Sequence, residues 1–188
     1  VFMGDDHPFT SLKEWGDKIH VIDNTQTIIR EGGKFVFIPY VPTGRFEEGL
    51  LTDGHKAPYN DISCIFAHQE FLGCQMGGIK SEHGDVWPLN HPLCISGHIH
   101  DYAALQKNMI YTGTPIQHNY SDGVDKTVSI FTFSTPDDQD EDGPKKYIMT
   151  NHQRVALDIP RKLIIKLTPE ELLSFTPPIN TKVKIKIM

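Results

Sequence analysis

Two short apolar stretches, each running into histidine, constrain this chain most. Ile62-Ser63-Cys64-Ile65-Phe66-Ala67 is followed at once by His68, and Cys94-Ile95-Ser96 by Gly97-His98-Ile99-His100. An apolar run without alternation suits a strand buried on both faces, the condition of strands inside an α/β fold. In such sheets ligands gather at the carboxyl ends of the strands, so the two histidine-bearing ends can face one pocket.

The rest of the chain is strand-rich. Residues 18–23, 25–30 and 34–39 read as three strands, the last two joined as a hairpin at Glu31-Gly32-Gly33. Residues 47–56 read as a short helix or a loop. Further strands are expected at 92–96, 109–112, 127–133, 154–159, 162–167 and 182–187. Thr168-Pro169-Glu170-Glu171 spells a helix start: threonine as N-cap, proline at the first helical position, and a glutamate completing a capping box. Residues 136–145 form a polar, acidic loop. The chain then divides into a core at 1–135, that loop, and a small β-rich unit beginning at 146–188.

Charge and cysteine usage exclude some functions. The formal net charge of −6 disfavours a large nucleic-acid footprint, although Lys182, Lys184 and Lys186 concentrate positive charge near the end. No run of about 18 apolar residues exists, so no membrane span is expected. Cys64, Cys74 and Cys94 are odd in number and match no zinc spacing, which reads as buried, reduced thiols in an intracellular protein.

Chemistry concentrates at Gly97-His98-Ile99-His100. Glycine lets the backbone turn sharply where the strand ends. Histidines two apart can then approach neighbouring metal ions, each giving one ring nitrogen while the other is oriented by an acceptor. A lone H-x-H is weak; strand-Gly-His-x-His, with His68 at a second strand end, is much stronger.

This arrangement resembles the calcineurin-like metallophosphoesterases. The segment Met109-Ile110-Tyr111-Thr112-Gly113-Thr114-Pro115-Ile116-Gln117-His118-Asn119-Tyr120-Ser121-Asp122, followed by Lys126-Thr127-Val128-Ser129, is similar to the Y-x-G-[ST]-P segment of the SbcD-type recombination nucleases and their phage and large-virus relatives. The resemblance implies a layered β-sandwich flanked by helices, here truncated at its N-terminal side, with the start of a small capping domain. It implies two divalent ions, manganese before iron or zinc, with His68 and His98 on one and His100 on the other. Metal-dependent phosphodiester hydrolysis on DNA follows, alongside an ATPase subunit, in the cytoplasm, nucleoid or a viral replication site; a homodimer is compatible with it. A non-catalytic scaffold and a phosphomonoesterase are the alternatives.

The first half of the family's site is altered or missing. Gly4-Asp5-Asp6-His7 can be read as a D-x-H pair, as a bridging aspartate, or as the place of a G-N-H-D motif with its letters changed. Order along the chain favours the third, since no Gly-Asn-His lies between residues 7 and 68. Asp5 then replaces an asparagine ligand, while Asp6 and His7 compete for the catalytic position, and the earlier motifs are expected to precede Val1. Among other residues, Arg45 and His118 are candidates to touch phosphate. Asp53-Gly54-His55 sits in a polar turn and is a poor ligand pair, and His83 and His91 read as loop residues with local partners. Finally, the rows Leu163/Ile165/Leu167 and Val183/Ile185/Ile187 are expected to be buried against the core, with lysines on the opposite face.

Overall fold

The strand Ile62–Ala67 (β3) lies at the centre of a six-stranded sheet, with its first four residues buried. The computed structural model describes residues 8–136 and 145–188. Gly4 to His7 and the acidic run 137–144 lie outside the described residues, so the assignments made for Asp5, Asp6, His7 and most of the acidic loop find no test there.

Ahead of β3 come Gln26–Arg30 (β1) and Gly33–Phe37 (β2). They form the expected antiparallel hairpin. Glu31 and Gly32 both have positive φ, 48° and 86°, as a tight two-residue turn matched to strand twist requires. The helix Phe46–Thr52 (α1) leads into β3. After it come the short pair Gln75–Met76 (β4) and Ile79–Lys80 (β5), then Leu93–Ser96 (β6), Ala103–Gln106 (β7) and Met109–Tyr111 (β8). The sheet order is β1-β2-β3-β6-β8-β7. Strands β2, β3, β6 and β8 are mutually parallel, and antiparallel β1 and β7 close the two edges.

On one face, Phe46 and Leu50 of α1 join Val36, Ile65, Phe71, Trp87 and Tyr111 in a core whose rings meet edge to face. On the other lies the hairpin Thr127–Ser134 (β9) and Ile148–Ala156 (β10). It is seated by Phe133 against Phe35, with ring centroids 5.4 Å apart, and by the Tyr147 N–H donating to Ser63 Oγ at 2.9 Å. The result is a mixed α/β fold, rich in sheet and poor in helix. Among the described residues no helix is long and apolar enough to cross a membrane.

The tail forms a two-stranded sheet of its own. Arg161–Leu167 (β11) and Thr181–Ile187 (β12) pair in parallel, joined through the helix Pro169–Ser174 (α2). The capping box forms as its letters dictate: Glu171 N–H donates to Thr168 Oγ1, and the Glu171 carboxylate accepts from the Thr168 N–H. Gln117 docks the tail on the core, donating to the Lys162 carbonyl at 3.0 Å and accepting from the Lys162 N–H at 2.7 Å.

Three expectations are corrected. Residues 18–23 form no strand: Thr10–Lys18 is a 3-10 helix, and Ile19, Val21 and Ile22 line an apolar groove with Pro39 and Tyr40 instead of joining a ladder. Asp23 ends the segment, buried and accepting from Lys13, a contact that competes with extension. The strand expected at 154–159 begins earlier, at Ile148, because β9 provides a partner edge for its whole length. The apolar rows of the tail are only partly covered: Leu163, Ile165, Leu167 and Val183 are half-buried, whereas Ile185 and Ile187 are 37% and 55% exposed.

Candidate active site

The site starts from the register of β3 and β6. Ala67 is opposite Ser96, and the Gly97 N–H donates to the Ala67 carbonyl at 2.9 Å, so His68 and Gly97 leave the sheet side by side. A methyl group on Gly97 would stand 2.8 Å from His68 Nδ1, so any side chain here must displace the His68 ring. The next residue, His98, has φ of 74°, and the Ile99 N–H reaches back to the Gly97 carbonyl at 3.0 Å. That is a γ-turn centred on a histidine, a strained conformation of the kind that persists where surroundings enforce it, often at functional sites. Its effect is to point two imidazoles at each other: the rings of His68 and His98 meet edge to face with centroids 5.3 Å apart. Tyr40 flanks His98 with a nearly parallel ring at 5.9 Å.

Beneath these histidines lies a buried polar network. Gln69 is fully buried; its N–H donates to Ser96 Oγ, its side-chain amide donates to Asp85 at 2.6 Å, and its carbonyl accepts from the Tyr111 hydroxyl at 3.0 Å. Asp85 also accepts from the Phe46 N–H, tying the strand ends to α1. Satisfied networks of this kind rigidify what stands on them. Burial, and then the nearby His98, hold the pKa of His68 below the usual histidine value, so its ring is neutral near pH 7 and keeps a lone pair free.

His100 belongs to a neighbouring cluster. Its ring lies against that of His118, centroids 4.7 Å apart and 29° from parallel. Its Nδ1 is 3.3 Å from Asp122 Oδ1. Burial works to raise the pKa of Asp122, but the N–H groups of Asn119 and His118 and the His100 ring outweigh it and hold the carboxyl below its ordinary value. The His100 carbonyl accepts from the Thr114 N–H at 2.9 Å and from Lys126 Nζ at 2.6 Å, and the same ammonium meets Asp101 at 2.7 Å. Gly113, at φ of 70°, allows this approach; a Cβ there would strike the Tyr102 nitrogen at 2.8 Å. The Gly113-Thr114 segment therefore serves to clamp the backbone of His100. His98, His100, Asn119, Ser121 and Asp122 line a hollow of about 340 Å³ closed on one side by Gln75-Met76-Gly77.

His68, His98, His100 and His118 thus come together around neighbouring strand ends and loops. Arg45 stands elsewhere: it is the residue before α1, paired with Glu48 at 2.6 Å, and does not line this hollow. His55 bonds with Thr27 and Asp53, and His91 packs on Trp87 and Tyr59, so its partners are not merely local. Tyr40, Gln69, Asp122 and Lys126 received no role from the sequence. For the last two the only signal was their place in the segment that follows Gly113-Thr114-Pro115.

In its chemistry the donor set, imidazoles with a carboxylate nearby, is of the kind that divalent transition-metal ions take. Among the described residues no group of three or more His, Cys, Asp or Glu side chains is gathered closely enough to hold an ion. The described residues provide one imidazole pair facing edge to face, His68 with His98, and a neighbouring imidazole, His100, hydrogen-bonded to Asp122.

No family model matches the chain. It is 37% identical over 186 residues to "Putative phosphoesterase 244L" of Invertebrate iridescent virus 6, an alignment covering 98% of this chain and 62% of that protein. It is 40% identical over 128 residues to "Putative phosphoesterase 078R" of Invertebrate iridescent virus 3, covering 68% of this chain and 37% of that protein. The chain therefore spans less than two thirds of the length of either relative, and by sequence it is a homologue of iridescent-virus proteins named as phosphoesterases.

Proposed function

We propose that this chain forms part of a metal-dependent phosphodiesterase that cleaves DNA, with His68 and His98 holding one divalent ion and His100 a second. The observation that carries this reading is the pair of imidazoles brought edge to face by parallel strand ends and a strained turn at His98. The names of the two viral relatives support phosphoester chemistry. Asp5 is proposed as a further ligand, and Asp6 or His7 as the proton donor to the leaving group. When bound, paired divalent ions would clamp a phosphate and make water a nucleophile near neutral pH; mixed imidazole and carboxylate ligation favours manganese, iron or zinc over calcium.

This chain's own residues would bind and orient. His68 would present a neutral ring, the γ-turn would aim His98, and His118, stacked on His100, would be the residue to touch a phosphate oxygen. The preference for DNA over a small phosphomonoester rests on the tail. Lys162, Lys166, Lys182, Lys184 and Lys186 share one face of the β11–β12 pair. Lys162 donates to the His118 carbonyl at 2.8 Å, which joins that face to the site. Lys166, Lys182, Lys184 and Lys186 are exposed and, among the described residues, in no ion pair. A row of free ammonium groups leading to a phosphate site suits a polyanion. An ATPase subunit is the partner that the nuclease resemblance implies.

Manganese titration of the chain and its variants tests the assignment. His68→Ala and His98→Ala should weaken the same ion, and His100→Ala the other. Affinity unchanged in all three variants would sink the reading. Assays on single-stranded DNA and on p-nitrophenyl phosphate with manganese separate the substrates. Turnover of the small ester alone would replace the nuclease with a phosphomonoesterase.

A further inference from the structure

We propose that Asp122 is the positioning residue for His100: it fixes the ring in the Nδ1–H tautomer and leaves Nε2 as the only nitrogen free to ligate. The geometry rests on a carboxylate that is itself held. Its side chain is 8% exposed. Oδ2 accepts the backbone N–H of His118 at 2.7 Å and of Asn119 at 3.2 Å, while Oδ1 stands 3.3 Å from His100 Nδ1. The turn is held by the Asn119 side chain, which accepts from the N–H groups of Ser121 and Asp122, and by Gln117, which donates to the Asp122 carbonyl. An ionised carboxylate can only accept. The imidazole nitrogen facing it must therefore carry the hydrogen, and in the neutral ring the lone pair sits on Nε2.

The ring has little freedom to avoid this. His118 covers one face, and the backbone is clamped through its carbonyl by Thr114 and Lys126. Orienting a ligand histidine through a carboxylate on its other nitrogen raises its basicity, and removing such a partner typically weakens metal binding about 10–100-fold. The metal consequence rests on the proposed function; the tautomer does not.

The test uses Asp122→Asn. The two backbone N–H groups that face Oδ2 require the asparagine oxygen on their side, which turns its NH₂ towards His100 Nδ1. A donor there demands the opposite tautomer, with the hydrogen on Nε2. Nitrogen chemical shifts of the His100 ring, read in the metal-free protein, should show Nδ1–H in the natural chain and Nε2–H in Asp122→Asn. His118→Ala removes the stacked ring but not the carboxylate, so it should keep Nδ1–H. A natural chain with the hydrogen on Nε2, or an Asp122→Asn chain still protonated on Nδ1, overturns the proposal. Manganese affinity should fall about 10–100-fold in Asp122→Asn. A tautomer that switches with no change in affinity upholds the positioning by Asp122 and removes His100 from the proposed metal set.

Discussion

The parallel centre of the sheet and the parallel pair of the tail are built from the same kind of strand and end differently. In β3 and β6 the side chains of Cys64, Ile65 and Cys94 are fully buried, with layers on both faces. In β11 and β12 no residue is fully buried, although Leu163, Ile165 and Val183 are as apolar. Four adjacent parallel strands cover one another and support loops that converge; two strands alone cannot. A residue pattern selects a strand, and only the neighbouring layers decide how much that strand stabilises. The difference also explains where strain is tolerated. A γ-turn at His98 costs on the order of 1–3 kcal/mol, which a rigid, doubly covered strand end can hold.

The comparison can be broken by mutation. Ile65→Ala should cost the most, about 2–5 kcal/mol, because it opens a cavity between layers that cannot collapse. Urea unfolding measures it, and a cost comparable to that of Ile187→Ala would erase the contrast. Next comes Gly97→Ala: its methyl must displace the His68 ring, at a cost of about 1–3 kcal/mol for overpacking. A crystal structure of that variant with the two rings unmoved would contradict the claimed fit.

Acid titration sharpens the same contrast. Burial, and next the His98 ring, lower the pKa of His68; burial and Arg154 lower that of His152. The folded state resists protons that the unfolded chain takes up near the ordinary histidine value of about 6.5. Stability is therefore fully present above that value and falls as pH drops below it towards the lower folded values. His68→Gln should flatten the fall in the urea midpoint as pH drops below the ordinary histidine value of about 6.5. An unchanged profile would place His68 in water.

The smallest effects belong to the tail. Ile187→Ala should change stability by under about 0.5 kcal/mol, as for an exposed side chain. Replacing Lys182, Lys184 and Lys186 together by glutamine should leave the thermal midpoint almost unmoved. On the proposed function, it should make the dependence of DNA affinity on salt shallower, by roughly 0.7–0.9 for each phosphate that the lysines no longer neutralise. An unchanged slope would leave these lysines as protection of an open strand edge.

Much of this was legible in the residues. The run 62–67 reads as a covered strand, because a strand with a wet face alternates and six residues are short for a helix. Glu31-Gly32-Gly33 reads as a hairpin connection, of which Gly33 proves to be the first residue of β2, and Thr168 to Glu171 carries every atom of its capping box within four residues. These signals are local: the groups that satisfy one another are neighbours in sequence. Residues 18–23 show the limit, since an apolar run becomes a strand only where a sheet edge is free, and here Ile19, Val21 and Ile22 line a groove instead. Strand β7 was equally silent, because Ala103 and Ala104 have no alternation and owe their conformation to β8.

The site divides in the same way. Glycine before two histidines at a strand end is written in the sequence; that the turn is centred on His98 and not on Gly97 is not. That His68 meets His98, that Asp122 stands at the back of His100, and that Lys126 holds its carbonyl depend on strand register and on pairings across 22 to 30 residues. Such pairings leave no periodic trace, because each is made once. The sequence by itself determined which side chains could do chemistry. Tertiary structure decided which of them meet and which groups stand behind them, since that depends on strand register and on contacts far apart in sequence.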